Sequence, residues 1–295
     1  MVKFDLMRSY LYVPAYNQKY LTSALQSEAD VLILDLEDSV PYSQKGKARE
    51  TIQKLINEKT KFNGHIIVRL NSLDNEEQVL EDLKYININS IDGFMLPKVN
   101  HVDDIKTFEN LIEKLLGKND LYFIPLIETS LVMYHLKDIA AYSCVKGLAF
   151  GGEDYITDLH ARHGKSTAIF DYARVQIINA ARAYGKIAID TPYLALDDHI
   201  GFMSSLENAS ELGFDGKQCI HPSQLGRLNQ TLTPNKIEYE HSLKIVSKIA
   251  EAKHSGKGVI IFNGKMIGPP MVKRAENIIK LYESIQEKNR FLQEG

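Results

Sequence analysis

Charged side chains directly follow several short apolar runs of this sequence. The run VLIL, residues 31–34, leads straight into Asp35, Glu37 and Asp38. A buried carboxylate without a partner is costly, so these three acids need a cation or a proton nearby. The same arrangement recurs along the chain, with Arg69 and Asn71 after HIIV, Lys98 after FMLP, Glu128 after FIPLI, Glu153 and Asp154 after LAFGG, Asp190 after IAI, and His221 after QCI.

Carboxylates from several of these positions would repel one another if they met in one small space. A bound cation removes that repulsion, so the acids indicate a metal site. No His or Cys cluster accompanies them in the sequence, and ligation by oxygen alone is typical of a hard ion. We therefore predict Mg2+, or Mn2+ in its place, held by one or two carboxylates with water and substrate in the remaining positions.

Arg69, in IIVRLN, admits two interpretations. Its planar guanidinium matches a carboxylate and would clamp the acid group of a substrate. Alternatively, it forms an internal salt bridge with one of the acids of residues 35–38. A metal ion beside an arginine clamp suits an oxo-acid or its enolate, because both stabilise negative oxygen. Lys98 offers a competing interpretation, as the amine nucleophile of a Schiff-base aldolase. Gly151 and Gly152 fit a place where the backbone approaches a ligand closely.

Short apolar runs alternate with longer amphipathic segments, such as 75–86 and 101–116, whose apolar residues recur every three or four positions. Strand followed by helix, eight times over, predicts an α/β fold, the parallel (β/α)8 TIM barrel. A doubly wound open sheet is the alternative, and it would account for about six of the strands. Active sites of such barrels lie at the carboxyl ends of the strands, where the charged residues fall. The runs are SYLYVP (9–14), VLILDLE (31–37), HIIVRLN (65–71), GFMLPKV (93–99), YFIPLIE (122–128), GLAFGGE (147–153), AIDTPY (188–193) and GKQCIHP (216–222).

Residues 1–232 form the predicted TIM-barrel catalytic domain, and residues 233–295 form a predicted C-terminal helical extension or lid. The extension should begin with a helix capped by Thr233 and end with a second helix over 271–289. Its charged faces suit packing on the barrel or on a neighbouring subunit.

Bulk composition argues against several classes of partner. The net charge of -3 gives no electrostatic case for nucleic acid or an anionic membrane. No run approaches the roughly 18 apolar residues of a membrane span, and the first residues do not read as a signal peptide. We expect a cytoplasmic protein. Cys144 and Cys219 lie far apart in the sequence and are expected to be reduced structural thiols.

With these residues in place, the sequence resembles the citrate lyase β-subunit and malyl-CoA lyase family of HpcH/HpaI aldolases. The resemblance implies a (β/α)8 barrel, assembled as a homotrimer or a multiple of it, that uses Mg2+ to cleave a 3-hydroxyacyl thioester into an acyl thioester and an oxo-acid. The CoA thioester would be a substrate rather than a bound cofactor. The resemblance runs in order from about Arg8 to Met271 and includes RSYLYVPA (8–15), DVLILDLEDSVPYSQKGKAR (30–49), VRLN (68–71), LPKV (96–99), PLIET (125–129), LAFGGEDYITDL (148–159), YARVQIINAARAYGKIAIDTPY (172–193) and LGFDGKQCIHPSQL (212–225).

The resemblance also implies roles for individual residues. Glu128 and Asp154 match the direct metal ligands, while Glu37 and Asp38 match acids that hold metal-bound water and take part in catalysis. Arg69 matches the residue that grips the oxo-acid carboxylate. Two neighbours of the metal ligands are further candidates for substrate binding, namely Gly152 and Glu153.

Two positions depart from the family pattern. The family carries a G-x-M-[IV]-D-x-P segment whose Asp reaches the active site of a neighbouring subunit, whereas GKMIGPP here has Gly268 in its place. The loop VPAYNQKY, residues 13–20, has no arginine for the phosphates of CoA, and Lys19 is its only cation. Arg8 and Lys45 are the other candidates for phosphate contacts.

Three kinds of function follow. The first is a Mg2+-dependent carbon–carbon lyase of a citryl-, malyl- or citramalyl-CoA-like thioester. The second kind comprises two alternatives that Gly268 favours, an aldolase acting on a free hydroxy-oxo acid without CoA and a thioester hydrolase. A binding or assembly subunit with reduced catalysis is the third, but a scaffold would have no need of Arg69, Glu128 and Asp154 together.

Overall fold

The structure is a computed structural model and describes residues 6–57, 62–117, 120–162, 167–254 and 259–294. Eight parallel strands close into a barrel in sequence order, with β8 paired to β1. This closed order confirms the predicted (β/α)8 barrel and excludes the open sheet. The strands are β1 Ser9–Pro14, β2 Val31–Asp35, β3 His65–Arg69, β4 Gly93–Leu96, β5 Tyr122–Ile127, β6 Gly147–Phe150, β7 Ile187–Asp190 and β8 Gly216–Cys219.

Helices connect successive strands, and the residues before several of them cap exposed backbone N–H groups. Asn17 accepts from the Lys19 N–H, and Asn75 accepts from the Gln78 N–H. Among the described helices, none is long and apolar enough to cross a membrane. The helices are α1 Gln18–Leu25, α2 Lys45–Asn57, α3 Glu76–Leu83, α4 Val102–Leu116, α5 Leu136–Ala141, α6 Gly152–Asp158, α7 Ala168–Ala183, α8 His199–Leu212, α9 Leu225–Thr231, α10 Lys236–His254 and α11 Pro269–Glu294.

The barrel is filled by side chains from alternate positions of its strands. Val31 and Ile33 of β2 pack in one cluster with Ile124 and Leu126 of β5. The intervening residues, such as Leu32, are equally buried. A strand buried on both faces reads as a continuous apolar run, which is why the eight runs were visible in the sequence.

The chain divides into two compact units, and the barrel unit spans Met7–Asn229. The second unit, which contains Gln230–Gly295, has its own small core around Ile245, Ile249 and Ile267. Its strands β9 Ile260–Phe262 and β10 Lys265–Ile267 form an antiparallel hairpin.

The predicted cap of the first C-terminal helix is wrong. Helix α10 begins at Lys236, and Asn235 rather than Thr233 caps it. The Asn235 side chain accepts from the Glu238 N–H at 2.9 Å, while the Glu238 carboxylate accepts from the Asn235 N–H at 2.8 Å. This reciprocal pair satisfies two backbone donors, whereas a start at Thr233 offers no such partner three residues later.

Candidate active site

Asp35 and Arg69 end the adjacent strands β2 and β3 and are direct partners in their register. The Asp35 carboxylate accepts from Arg69 Nε at 2.6 Å and from Nη2 at 2.7 Å. Burial disfavours the charged form of Asp35, yet the guanidinium holds its pKa below the ordinary value. The bidentate partner of Arg69 is therefore Asp35, so along this edge of the fork the structure shows the internal salt bridge.

The loop of residues 36–40, here called the acid loop, is fixed by hydrogen bonds at both of its sides. The Asp35 carboxylate accepts from the N–H groups of Glu37, at 2.9 Å, and Ser39, at 3.1 Å, and from the Ser39 hydroxyl. On the other side, Lys45 Nζ donates to the carbonyl oxygens of Leu36, at 2.7 Å, and Glu37, at 3.2 Å. The backbone that carries the acids is thus held in one conformation.

The two acids of this loop, Glu37 and Asp38, lie beside Nη1, the guanidinium nitrogen of Arg69 that does not contact Asp35. The Glu37 carboxylate lies 2.8 Å from Arg69 Nη1 and is nearly buried, whereas the Asp38 carboxylate lies 3.6 Å from it and is exposed. Burial raises the pKa of Glu37 to about 8, with Arg69 opposing the shift and Asp38 adding to it. The positive charge around this carboxyl is therefore too small to offset the effect of its burial.

Glu128 follows β5 directly and is 3% exposed. Its carboxylate accepts from the Lys98 N–H at 2.6 Å, and Lys98 adopts a left-handed backbone, with φ of 51°. Burial raises the pKa of Glu128 to about 7, and the charge of Asp154 adds to the rise. A Cβ on Gly151 would lie 2.6 Å from Glu128 Oε2, so only glycine leaves room for this carboxylate.

Asp154 is placed by the first turn of α6. The helix begins at Gly152, whose N–H donates to Thr191 Oγ1 at 3.0 Å. A Cβ on Gly152 would lie 2.6 Å from the Phe170 ring and 2.8 Å from that hydroxyl, which accounts for the glycine. Partial burial and the charge of Asp38 raise the pKa of Asp154, although its side chain faces solvent. Glu153, beside it, is exposed.

Sequence reasoning missed Tyr12. The Arg69 guanidinium lies 4.8 Å from the centre of the Tyr12 ring, and the Tyr12 hydroxyl donates to Gln218 Oε1 at 2.7 Å. Gln218 donates in turn to the carbonyl oxygens of Phe150 and Asp190. A tyrosine in the apolar run SYLYVP was the available signal, since a phenol inside a barrel needs a polar partner.

Two of the predicted phosphate contacts have charged or polar partners within the protein. Arg8 stands before β1, at the amino end of the barrel, and is buried in a fork with Asp30 at 2.7 and 3.0 Å. Lys45 is bound by the acid loop and by Asn71 Oδ1 at 2.6 Å. Lys19 lies exposed in the first turn of α1, after the carboxyl end of β1.

Other strand-end residues have structural partners. Asp190 is fully buried between Arg174, at 2.8 Å, and Lys217, at 2.5 Å. His221 accepts from the Ser223 N–H and caps a short helical turn. Lys98 Nζ is half exposed and 3.8 Å from Asp74, whereas an amine nucleophile needs desolvation or a neighbouring cation. Burial raises the pKa of both cysteines to about 12, which keeps them as thiols.

The donor set fits a hard cation held by few protein ligands. Within the described ranges, no three His, Cys, Asp or Glu side chains are arranged as a complete set of ligands. Mg2+ needs only one or two carboxylates and keeps water in its other positions. Glu128 and Asp154 offer two carboxylates at the carboxyl end of the barrel, and the charge of Asp154 raises the pKa of Glu128.

Comparison with known proteins agrees with this geometry. The HpcH/HpaI aldolase/citrate lyase family matches residues 8–222. The citrate lyase subunit beta of Leuconostoc mesenteroides subsp. cremoris is 33% identical over 94% of this chain and 93% of its own. The (3S)-malyl-CoA thioesterase of Cereibacter sphaeroides is 30% identical over 94% of this chain and 95% of its own.

Among solved structures, the CitE protein of Mycobacterium tuberculosis in complex with magnesium, acetoacetate and coenzyme A is similar over 95% of this chain and 99% of its own. The TM-score is 0.76 and the sequence identity is 25%. The family match over most of the barrel and the closed eight-stranded architecture agree with each other. The chain therefore belongs to the HpcH/HpaI aldolase/citrate lyase family, as a CitE-like lyase.

Proposed function

We propose that the protein is a Mg2+-dependent carbon–carbon lyase that cleaves a short 3-hydroxyacyl thioester, of the citryl-, malyl- or citramalyl-CoA type. The products are an acyl thioester and an oxo-acid. The observation that carries the proposal is the grouping of one arginine with four carboxylates at the carboxyl ends of neighbouring strands. These residues are Arg69, Glu37, Asp38, Glu128 and Asp154.

In this proposal Glu128 and Asp154 would hold Mg2+, and Glu37 and Asp38 would hold water beside it. When bound, the ion supplies positive charge that stabilises the oxygens of the oxo-acid. Arg69 gives Nε and Nη2 to Asp35, so the edge that carries Nη1 is the one that receives the substrate carboxylate. Gly152 and Glu153, next to Asp154 in the first turn of α6, are the proposed further substrate contacts.

The reaction reverses a carbon–carbon condensation. A base removes the proton of the 3-hydroxyl group, and the bond between C2 and C3 breaks. The 3-hydroxyl carbon becomes the carbonyl of the oxo-acid, and the bonding electrons remain on the thioester as an enolate. Protonation of C2 then gives the acyl thioester.

Lys19 is the proposed contact for the phosphates of CoA. It is exposed at the same end of the barrel as the acids. Replacing Lys19 with Ala should raise the KM for the CoA thioester by about three- to tenfold, the size of one exposed charge contact. Binding of a free oxo-acid, measured by calorimetry, should not change. An unchanged KM would remove Lys19 from the site.

We also propose that the protein acts as a homotrimer or a multiple of it, with residues 233–295 of one chain covering the site of a neighbour. The family resemblance, which extends into this segment through GKMIGPP, is its ground. Sedimentation equilibrium gives the number of chains directly. A monomer at the concentrations of the activity assay would contradict this assembly.

Thioester hydrolysis is the second candidate, because the relative from Cereibacter sphaeroides is a thioesterase at 30% identity. An aldolase that acts on a free hydroxy-oxo acid is the third, and Gly268 in place of the family's acid favours it. The candidates differ in their products, since only hydrolysis releases free CoA thiol and only the lyase releases an oxo-acid from a thioester.

The test incubates the protein and Mg2+ with malyl-, citramalyl- and citryl-CoA, and separately with a free hydroxy-oxo acid. Oxo-acid and free thiol are measured in parallel, with EDTA as the control. EDTA-sensitive release of oxo-acid is the expected result. Release of thiol without oxo-acid would favour the hydrolase. Neither product, together with cleavage of a free hydroxy-oxo acid, would favour the aldolase.

A further inference from the structure

We propose that Asp35 is a positioning residue that sets, with one carboxylate, both the orientation of Arg69 and the conformation of the acid loop. Asp35 does not face the substrate in this proposal. It acts through Arg69, which binds the substrate carboxylate, and through the loop that presents Glu37 and Asp38. The inference rests on the proposed function and assigns a role to a residue outside the groups that touch substrate or metal.

The hydrogen bonds of Asp35 are divided between Arg69 and the acid loop. Its Oδ1 accepts from Arg69 Nε and from the Glu37 N–H, and its Oδ2 accepts from Arg69 Nη2, the Ser39 N–H and the Ser39 hydroxyl. Five donors exceed the roughly four lone-pair sites of one ionised carboxylate, so the carboxylate has no acceptor capacity to spare. Each carboxylate oxygen accepts from both Arg69 and the acid loop, so no rotation of the carboxylate keeps the bonds to one and loses the bonds to the other. The position of Arg69 and the conformation of the loop are therefore coupled.

Arg69 has little freedom to compensate for a change at Asp35. Its position is set by strand pairing, because Asp35 and Arg69 are register partners at the ends of β2 and β3. The Tyr12 ring covers the guanidinium at 4.8 Å, and Gln218 fixes that ring through its hydroxyl. Loss of the Asp35 charge would leave Arg69 with Glu37 as its nearest carboxylate, at 2.8 Å, in competition with the substrate.

The chain contains a matched control at the other end of the same strand. Asp30 precedes β2 and is fully buried, and it takes Arg8 in a fork of the same kind, at 2.7 and 3.0 Å. Asp30 also accepts from a backbone N–H, that of Arg8, at 3.0 Å. The two sites are alike in burial and pairing, but only Asp35 lies at the carboxyl end of the barrel.

The experiment compares Asp35→Asn with Asp30→Asn in the full-length protein. Oxaloacetate and pyruvate are titrated calorimetrically with Mg2+ present, kcat and KM are measured on the cleaved thioester, and the folded fraction comes from urea unfolding. For Asp35→Asn we expect oxo-acid affinity to fall about tenfold and kcat/KM about a hundredfold per folded molecule, as expected of a displaced charged contact. Asp30→Asn should lower the free energy of unfolding without changing the oxo-acid affinity or kcat/KM per folded molecule.

A gentler pair serves if Asp35→Asn does not fold. Ser39→Ala removes one donor of Asp35 and should reduce kcat/KM per folded molecule by about tenfold or more, the value of one hydrogen bond to a charged group. Ser72→Ala is its control, because Ser72 caps an exposed turn after β3 and its hydroxyl bonds Asp74. Equal kinetic constants within each pair would overturn the proposal.

The outcomes separate this inference from the proposed function. If the wild-type protein cleaves no thioester but binds an oxo-acid, the proposed function fails, and the binding comparison still decides the role of Asp35. If the wild-type protein cleaves thioester and Asp35→Asn behaves like Asp30→Asn, only the inference fails. A wild-type protein that neither cleaves nor binds overturns both.

Discussion

Arg69 is surrounded by carboxylates of two kinds. Asp35 is fully buried and holds Nε and Nη2 at ordinary hydrogen-bond distances, so it fixes the guanidinium. Glu37 and Asp38 approach Nη1 from the acid loop, and burial leaves Glu37 with a pKa near 8. A ligand carboxylate can replace the second kind without disturbing the first. Both interpretations of Arg69 that the sequence left open are therefore compatible, each on a different edge of the fork.

Substitution of Glu128 or Asp154 tests the assignment of these two carboxylates to the metal ion. Glu128→Gln and Asp154→Asn should each lower the affinity for Mg2+ by about a hundredfold or more, since loss of outer-shell partners alone costs roughly ten- to hundredfold. Calorimetric titration of MgCl2 measures the effect. Asp103→Asn is the control, because Asp103 is also an acid in the first turn of a helix that follows a strand, but pairs with Lys106. Parent-like Mg2+ binding in both variants would show that the metal assignment is wrong.

Gly268 occupies the position at which the family has an acid, and the structure leaves room for an aspartate there. A Cβ at this position would meet only Pro270 Cδ, at 4.0 Å, and the backbone is not left-handed, so an aspartate fits. If the family's lid acid is what the chain lacks, Gly268→Asp should raise kcat for thioester cleavage by about a hundredfold or more, the range of general acid–base catalysis.

The control for this substitution is Gly268→Asn, which has the same shape without a transferable proton. Both side chains can also cap the start of α11 at Pro269, so helix stabilisation is common to the two variants. Equal rates for Asp and Asn would mean that another group of the protein handles the enolate proton.

The elements of the barrel place the acids by different means. Strand pairing alone aligns Asp35 with Arg69 at the ends of β2 and β3. Asp154 instead depends on where α6 begins, which is decided by the Gly152 N–H and the Thr191 hydroxyl. The second arrangement tolerates less change, because two glycines leave no space for a side chain beside Glu128 and Phe170.

Gly152→Ala should therefore damage the site through α6. The new Cβ would lie 2.6 Å from the Phe170 ring, so the first turn must shift, at a cost of about 1–3 kcal/mol and with a loss of Mg2+ affinity. Gly226→Ala, in α9, is the control: nothing lies within 4 Å of its Cβ, and it should stabilise the fold by about 0.5–1 kcal/mol. Urea unfolding and Mg2+ titration measure both effects. Unimpaired Mg2+ binding by Gly152→Ala would contradict this account of α6.

Across the whole molecule, the sequence predicted the barrel because each buried parallel strand is a continuous apolar run. It also predicted which acids stand at strand ends, since a charge that follows such a run must lie at its carboxyl end. Arg8 stands before β1, so the same rule places it at the amino end, and its assignment to CoA overlooked the direction of the strand.

Partners from distant parts of the chain were not predictable in this way. Asp190 resembles Glu128 in sequence, but Arg174 and Lys217 neutralise it, and neither lies near it in the chain. Lys45 was similarly indistinguishable from a surface lysine until the acid loop was seen around it. Strand patterns give position along the barrel axis, whereas pairing around the barrel needs the folded structure.

The buried carboxyls make the stability of the whole molecule depend on pH. Burial raises the pKa of Glu37 to about 8 and that of Glu128 to about 7, from an ordinary 4.5. Between the ordinary pKa of 4.5 and these raised values, the native protein holds more protons than the unfolded chain. The free energy of unfolding should therefore fall as pH rises from about 4.5 to about 8. For Glu128, which is 3% exposed, the effect is on the order of 3 kcal/mol.

Mg2+ should reverse this trend, because it binds the deprotonated carboxylates and competes with the protons. Urea unfolding near pH 6 and near pH 8.5, with EDTA or with excess Mg2+, measures both dependences. The stabilisation by Mg2+ should be larger at the higher pH, and Glu128→Gln should flatten the pH dependence in EDTA and abolish most of the response to Mg2+. Stability that rises with pH in EDTA would contradict the raised pKa values of Glu37 and Glu128, because Asp35, whose pKa is lowered, is already ionised in both the folded and the unfolded state throughout this range.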